Sequence, residues 1–175
     1  IYAGLIDRLK AAGAECAAIT SIGGHFCLDE TRALSSLPPV SAVAPLDAWF
    51  EAEGLARIGL LGTAVVMRTG VYGQLARTVP VVLEDEIDRI GQTYQDIAVA
   101  GACTPDQRAF FLDAGARLVS ERRADAVVLA GTDLGLAFDG QETEYRVIDA
   151  LDIHVDLLAR LATGAADLAA LEDNG

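Results

Sequence analysis

The residues best suited to chemistry lie in three short turns rich in glycine, serine and threonine. Their members are Ser21, Gly23, Gly24 and His25 in the first turn (21–25), Gly62 and Thr63 in the middle turn (62–67), and Gly131, Thr132 and Asp133 in the second turn (131–135). Small residues leave backbone amides free to face a ligand, and serine, histidine and aspartate can exchange protons. The three turns therefore indicate a ligand site.

Each ionisable or hydroxyl side chain also has a structural interpretation. His25 is either an acid–base group near Ser21 or a residue that bonds backbone groups at the start of a helix. Asp133 is either a base or the N-cap of the segment that follows it. Thr63 and Thr132 either donate to a ligand or satisfy local backbone groups. The sequence leaves these alternatives open.

Short apolar strands alternate with helices along the chain. Strands are predicted at 16–20, 40–43, 57–63, 79–83, 126–130 and 146–149, and helices at 1–12, 26–35, 46–54, 65–78, 86–99, 105–122 and 151–161. This alternation predicts an α/β fold with parallel sheets covered by helices. Ligands bind at the carboxyl ends of such strands, which is where the three turns lie.

An internal repeat indicates two similar lobes. Residues 13–21 align without gaps on residues 123–131, and each segment has a helix end, an acidic residue, a buried strand and a small-residue turn. The repeat makes Ser21 and Gly131 equivalent positions that face one cleft. We predict a first lobe from residues 1–54 plus 148–175, with a frayed tail over 164–175, and a second lobe from residues 55–147.

The sequence resembles the aspartate/glutamate racemase superfamily at four landmarks that occur in the expected order. Ser21-Ile22-Gly23-Gly24-His25 is similar to the family's Cys-Asn-Thr-x-His turn, and Ala130-Gly131-Thr132-Asp133 is similar to its Gly-Cys-Thr-Glu turn. Residues 57–67 are similar to a Gly-Leu-Leu-Gly-Thr-x-x-Thr-Met signature, and Val147-Ile148-Asp149 with His154 to an Asp-Thr-Thr-x-x-His motif. The resemblance implies two pseudo-symmetric lobes, and a family βαβ unit that should precede residue 1.

The resemblance also implies a chemistry that this chain cannot perform in the usual way. In the family, two cysteines flank the substrate α-carbon; one thiolate removes a proton and the opposite thiol returns one, with no cofactor. Here Ser21 and Gly131 occupy those two positions. A hydroxyl is a poor base without an activating partner, and glycine has no side chain. Two-thiol racemisation is therefore not expected.

Three functions follow from this loss. The first is a non-catalytic relative that binds a small amino or carboxylic acid in the cleft between the lobes. The second is a cofactor-independent decarboxylase, lyase or isomerase that uses Ser21, His25 and Asp133, with substrate bound by Gly23, Gly24, Gly62, Thr63, Gly131 and Thr132. The third is a racemase in which His25 or Cys27 supplies a base, although Cys27 and Cys103 both read as inert thiols.

Composition narrows the classes of partner. The net charge is −13 and no basic cluster exists, which argues against nucleic acid. The sequence has no uninterrupted run of about 18 apolar residues, so no membrane span is expected. The 3 cysteines lack metal-ligand spacing, so no metal is expected, and free thiols fit a cytoplasmic location. A homodimer is the assembly that the family resemblance suggests.

Overall fold

The computed structural model describes residues 1–167, in which strands and helices alternate. The strands are β1 (Ala17–Ala18), β2 (Pro39–Val40), β3 (Arg57–Gly62), β4 (Val79–Val81), β5 (Ala126–Ala130) and β6 (Val147–Asp149). The α-helices are α1 (Tyr2–Ala11), α2 (Leu28–Leu34), α3 (Ala44–Ala52), α4 (Ala64–Thr69), α5 (Ile87–Ala100), α6 (Pro105–Arg122), α7 (Gly135–Phe138) and α8 (Ala150–Ala162). Short 3₁₀ segments cover Ile22–Cys27, Glu84–Glu86 and Thr132–Leu134.

Two parallel sheets form the frame, and the predicted α/β class is confirmed. β1 pairs with β2, and the second sheet has the order β4-β3-β5-β6 with every pair parallel. β5 is buried along its whole length and β3 at every residue after Arg57, because helices cover both faces of the sheet. Their register pairs Gly62 with Ala130, so the middle and second turns leave the sheet side by side.

The main core does not divide at the predicted lobe boundary. It joins β3 and β5 to residues near the first sheet, including Ala42, Leu46 and Phe50. The boundary at residues 147 and 148 also cuts through β6, which belongs to the second sheet. The change of sheet therefore falls after Asp149. Most of the predicted tail, residues 168–175, lies outside the described residues.

The predicted helix over 65–78 is wrong beyond residue 69. α4 ends at a left-handed C-cap, and the next residues continue in that conformation: φ is +56° at Gly70, +57° at Val71, +60° at Tyr72 and +70° at Gly73. Such a run is strained for the β-branched Val71, which is held there by burial in the core. The turn carries Tyr72 back toward the first turn.

The internal repeat is visible as a matching local conformation. Gly13 follows α1 with φ of +95°, and Arg123 follows α6 with φ of +55°. Each left-handed residue leads into a strand, β1 or β5, and then into a 3₁₀ segment. Ser21 and Gly131 both stand in extended conformation as the residue before that segment. Within residues 1–167, no helix is both long and apolar enough to cross a bilayer.

The carboxylate of Asp47 fastens α3 to the segment before β4. It accepts hydrogen bonds from the backbone N–H groups of Ala76, Arg77 and Thr78 at 3.0–3.3 Å. Burial favours the neutral acid, but these donors outweigh it and lower the pKa of Asp47. The ionised carboxylate therefore stabilises the folded chain.

We predict that Asp47→Asn lowers the free energy of unfolding by about 1–3 kcal/mol at pH 7, because it weakens three charge-assisted hydrogen bonds. Because the pKa of Asp47 is lower in the folded chain, this contribution to stability is fully present at pH values above the pKa in the unfolded chain, about 3.9. It is lost as the pH falls through the pKa in the folded chain. Urea unfolding at pH 7 and at pH 3 measures both effects. An unchanged midpoint at pH 7 contradicts the role assigned to Asp47.

Candidate functional site

The first turn is held by a neutral histidine. The Nδ1–H of His25 donates to the carbonyl oxygen of Ser21 at 2.9 Å, and its Nε2 accepts from the backbone N–H of Ala42 at 2.9 Å. The Ala42 bond requires an unprotonated Nε2, which fixes the tautomer. Burial lowers the pKa of His25 more than the carbonyls of Ser21 and Ile22 raise it. The ring thus ties the first turn to the segment after β2.

This geometry bears on the predicted Ser21–His25 pair. The ring meets the carbonyl of Ser21 and not its hydroxyl, and Ser21 itself is exposed. With both nitrogens bonded to backbone groups, the imidazole has no position from which to take the hydroxyl proton. The contacts favour the structural role of His25, and a catalytic role stays a prediction.

The two glycines of the first turn have structural roles. A β-carbon on Gly24 would lie 2.7 Å from Cγ2 of Ile19 and 3.0 Å from the hydroxyl of Tyr2, so this position requires glycine. The carbonyl of Gly23 accepts a hydrogen bond from the hydroxyl of Tyr72 at 3.0 Å. The strained turn after α4 thereby holds the first turn in place.

Thr63 and Gly62 of the middle turn also have structural roles. The hydroxyl of Thr63 accepts from the N–H of Val66 at 3.3 Å and so caps α4, which is the local alternative for this residue. A β-carbon on Gly62 would lie 2.7 Å from the carbonyl oxygen of Ala130. Gly62 therefore lets β3 and β5 approach closely where the two turns begin.

In the second turn, one carboxylate accepts hydrogen bonds from two hydroxyls. Oδ2 of Asp133 accepts from the hydroxyl of Tyr94 at 3.1 Å and from that of Thr132 at 3.3 Å. Asp133 lies inside the segment Thr132–Leu134, whose N-cap is Gly131, and the N-cap of α7 is Leu134, so the N-cap alternative is not what this structure shows. A β-carbon on Gly131 would lie 2.6 Å from Cε2 of Tyr94. The position that resembles the second thiol is thus covered by an aromatic ring.

The first and second turns meet at His154, on α8. They enclose a small pocket of about 10 Å³, whose lining is Thr20, Ile22, Ala42, Leu129, Gly131, Thr132, Ala150, Leu151 and His154. His154 is 1% exposed, and its Nε2 is buried without a hydrogen-bond partner. Burial, and then the nearby His25, lower the pKa of His154. A volume of this size holds about one water molecule.

A larger and more open recess adjoins this pocket beyond Thr132. Its volume is about 440 Å³, and its wall carries the carboxylates of Asp139, Asp149 and Asp152. Burial raises the pKa of Asp149 more than the hydrogen bond from the backbone N–H of Leu151 lowers it, and the charges of Asp152 and Asp139 raise it further. An acidic wall disfavours a dianionic ligand here, so the recess adds no anion site.

The thiols lie away from the pocket. Sγ of Cys27 is 3.8 Å from the hydroxyl of Thr31 on α2, and Sγ of Cys103 lies 3.5 Å from the carbonyl oxygen of Thr104 at the start of α6. Neither residue lines the pocket between the turns. Cys16 does not line it either, so none of the three cysteines, all within residues 1–167, borders this pocket.

We predict that His154→Leu weakens the acid sensitivity of the fold. A buried imidazole with a lowered pKa gives stability that is complete above the unfolded value of about 6.5 and falls as the pH drops below it. Urea midpoints at pH 7.5 and 5.5 should differ less in the variant than in the unmodified chain, with the remaining difference due to His25. Equal differences in both proteins would show that His154 is not the sensitive group.

Comparison with known proteins places this geometry in a family. The sequence model of the Asp/Glu/hydantoin racemase family matches residues 2–158. No curated protein matches the sequence. The structure is similar to an aspartate racemase homologue from Pyrococcus horikoshii OT3, with a TM-score of 0.76 and 22% identity over 90% of this chain and 71% of that chain.

Two further solved structures share the fold. The Picrophilus torridus aspartate racemase has a TM-score of 0.70 and 17% identity over 90% of this chain and 66% of that chain. An arylmalonate decarboxylase has a TM-score of 0.55 and 18% identity over 95% of this chain and 78% of that chain. These identities show a shared fold, and the family match shows shared descent. The chain belongs to the Asp/Glu/hydantoin racemase family.

Proposed function

We propose that this chain binds a small carboxylic or amino acid where its first and second turns meet, and that it does not racemise the ligand by two thiols. One observation carries the proposal. His154, whose Nε2 is buried without a hydrogen-bond partner, is one of the residues that line the pocket between the two turns. A buried polar atom with no partner is unfavourable, and a ligand oxygen or amine would satisfy it.

The donors near the pocket suit one carboxylate group. The neutral imidazole of His154 donates from Nε2 in one tautomer, and the hydroxyl of Thr132 can donate to a ligand once it gives up its bond to Asp133. No lysine or arginine lines the pocket, so binding relies on neutral donors and is weakened by the charge of −13. We therefore expect a ligand with one carboxylate to bind better than one with two.

Binding requires the pocket to open. A volume of about 10 Å³ is too small for an amino acid, so the turns must separate when a ligand enters. The free energy of that opening lowers the apparent affinity.

Loss of the acid–base pair supports a binding role over racemisation. Inversion at a carbon needs proton carriers on opposite faces. At the first position stands the exposed hydroxyl of Ser21, and His25 is bonded to backbone groups. At the second, Gly131 lies under Tyr94. Neither face retains a thiol.

A second candidate is a one-base reaction on a small carboxylate, such as decarboxylation or proton exchange. The feature that favours it is Asp133, two residues after Gly131 in the sequence, whose Oδ2 accepts hydrogen bonds from two hydroxyls. Asp133 would serve as the base there. Ser21 and His25 complete the set of residues to test for this activity.

We predict that the monocarboxylates glycine and acetate raise the Tm of the chain at matched ionic strength, and by more than the dicarboxylates D- or L-aspartate, D- or L-glutamate and phenylmalonate do. A ligand at a hundred times its Kd adds about 2.7 kcal/mol, which is roughly 5–10 °C for a chain of this size. Thr132→Val and His154→Leu should each reduce the shift. Thr93→Val is the matched control, because that hydroxyl bonds only the carbonyl of Arg89 in its own helix.

The same ligands in D₂O separate the two candidate functions. We expect the Cα–H signals in proton NMR to persist, as a binding protein predicts. Exchange or release of CO₂ that is lost in Asp133→Asn would establish the one-base enzyme instead. A chain whose Tm responds to none of these acids, and which exchanges none of them, contradicts both functions.

A further inference from the structure

His25 connects two segments that both line the small pocket. Ile22 belongs to the first turn and Ala42 to the segment after β2, and each is a lining residue. The ring of His25 donates from Nδ1 to the carbonyl oxygen of Ser21 and accepts at Nε2 from the backbone N–H of Ala42. These two hydrogen bonds therefore hold one wall of the pocket against another.

The bond to Ala42 exists only while the imidazole is neutral. A backbone N–H can only donate, so the Nε2 that faces it must carry a lone pair. A second proton on the ring would place two donors against each other at the present separation of 2.9 Å. The bond from Nδ1 to Ser21 survives protonation, since Nδ1 is already the donor. Protonation thus leaves the ring attached to the first turn alone.

The groups that face the first turn from other elements provide no counter-ion for a charged ring. They are the imidazole of His154 on α8 and the phenols of Tyr2 on α1 and Tyr72 after α4, with Cys27 in the same segment as His25. The ring of His25 is 2% exposed. A proton on it would therefore be buried without a partner, which is strongly unfavourable.

The carboxylates and cations on the surrounding helices are exposed or bonded elsewhere. α2 and α4 pack on the segment that contains His25, and their charged residues are exposed. Asp47 on α3 holds backbone N–H groups of residues 76–78, and Asp149 at the start of α8 holds that of Leu151. Within residues 1–167, no acidic side chain contributes to the pKa of His25.

The first turn is the part that is able to move. Ser21 is exposed and Phe26 is 67% exposed, so this end of the turn borders solvent. Ala42 and Val43 are buried, and the hydroxyl of Ser41 accepts from the N–H of Val43 and holds the segment after β2 in place. Relief of the clash at Nε2 therefore moves the first turn away from residues 41–43.

We propose that His25 is an acid-sensitive latch: a second proton on its ring separates the first turn from residues 41–43 and opens the pocket between them. Return to neutral pH restores the acceptor and closes the pocket. The statement that the latch controls ligand access rests on the proposed binding function, whereas the statement that the ring controls the opening does not.

Hydrogen exchange of the Ala42 amide, followed by NMR, measures the latch directly. If the ring takes its second proton only in the open state, where its pKa is about 6.5, the open population rises about tenfold between pH 7.5 and pH 5.5. We expect the protection factor of this amide, which corrects for the intrinsic pH dependence of exchange, to fall by about the same factor. In His25→Gln the side chain does not titrate, and the protection factor should stay constant.

The chain has 2 histidines, and the other one provides the matched control. His154→Leu leaves both bonds of His25 intact, so the tenfold fall should persist in this variant. A fall that disappears in His154→Leu and remains in His25→Gln assigns the acid response to His154 and overturns the proposal. If His25→Gln does not fold, His154→Leu decides alone, because His25 is then the last histidine, and protection that is independent of pH refutes the latch.

Low concentrations of urea distinguish a local opening from global unfolding. Global unfolding exposes far more surface and therefore depends more strongly on urea. At pH 5.5, exchange of the Ala42 amide should change little between no urea and about 1 M urea. The amide of Val128, which is buried in β5 at the centre of the second sheet, should exchange faster over that range. Equal acceleration of both amides shows unfolding of the whole chain and contradicts the proposal.

Glycine tests whether the latch governs ligand access. It is a zwitterion at both pH values, so a difference in its effect reflects the protein. We expect a larger Tm shift at pH 5.5 than at pH 7.5 in the unmodified chain and equal shifts in His25→Gln. If glycine shifts the Tm at neither pH, the binding function fails, and exchange of the Ala42 amide still decides the latch. Equal nonzero shifts in the unmodified chain overturn the role in ligand access.

Discussion

The parallel pairing of β3 with β5 determines where the second half of the site lies. Gly62 and Ala130 are partners in register, and the missing side chain of Gly62 lets the carbonyl of Ala130 approach. The middle and second turns consequently start at the same level of the sheet. α5 can then cross over both of them, since Gly91 fits against α4 while Tyr94 reaches Gly131. A longer side chain at Gly62 would separate the strands and displace all of these contacts.

The first and second turns have similar backbone conformations, but different side-chain contacts hold them in place. On the first side a neutral imidazole bonds two backbone groups and links the turn to the strand region after β2. On the second side a protonated phenol bonds a carboxylate. In each case an ionisable group is used in its uncharged form as a structural support. Neither half has a cysteine at the position that resembles a catalytic thiol of the family, because Ser21 and Gly131 stand there.

The sequence was sufficient to predict the α/β fold with parallel sheets, because that class follows from the alternation of strands and helices. Gly131 and Thr132 do share a pocket with residues flanking Ser21. The sequence could not indicate that His25 meets the carbonyl of Ser21, since a four-residue spacing suits hydroxyl and carbonyl alike. Nor could it single out Tyr94, which continues the apolar stripe of Ile90 and Ile97 and looks like ordinary core.

The contact between Gly131 and Tyr94 also constrains how this protein can evolve. Any mutation that adds a β-carbon at position 131 meets the ring immediately, whereas loss of the ring first leaves room for a later change. The two codons are therefore epistatic, and their order of change matters. A route to a thiol at 131 that avoids this clash passes through an intermediate that has lost the phenol and has not yet gained the cysteine.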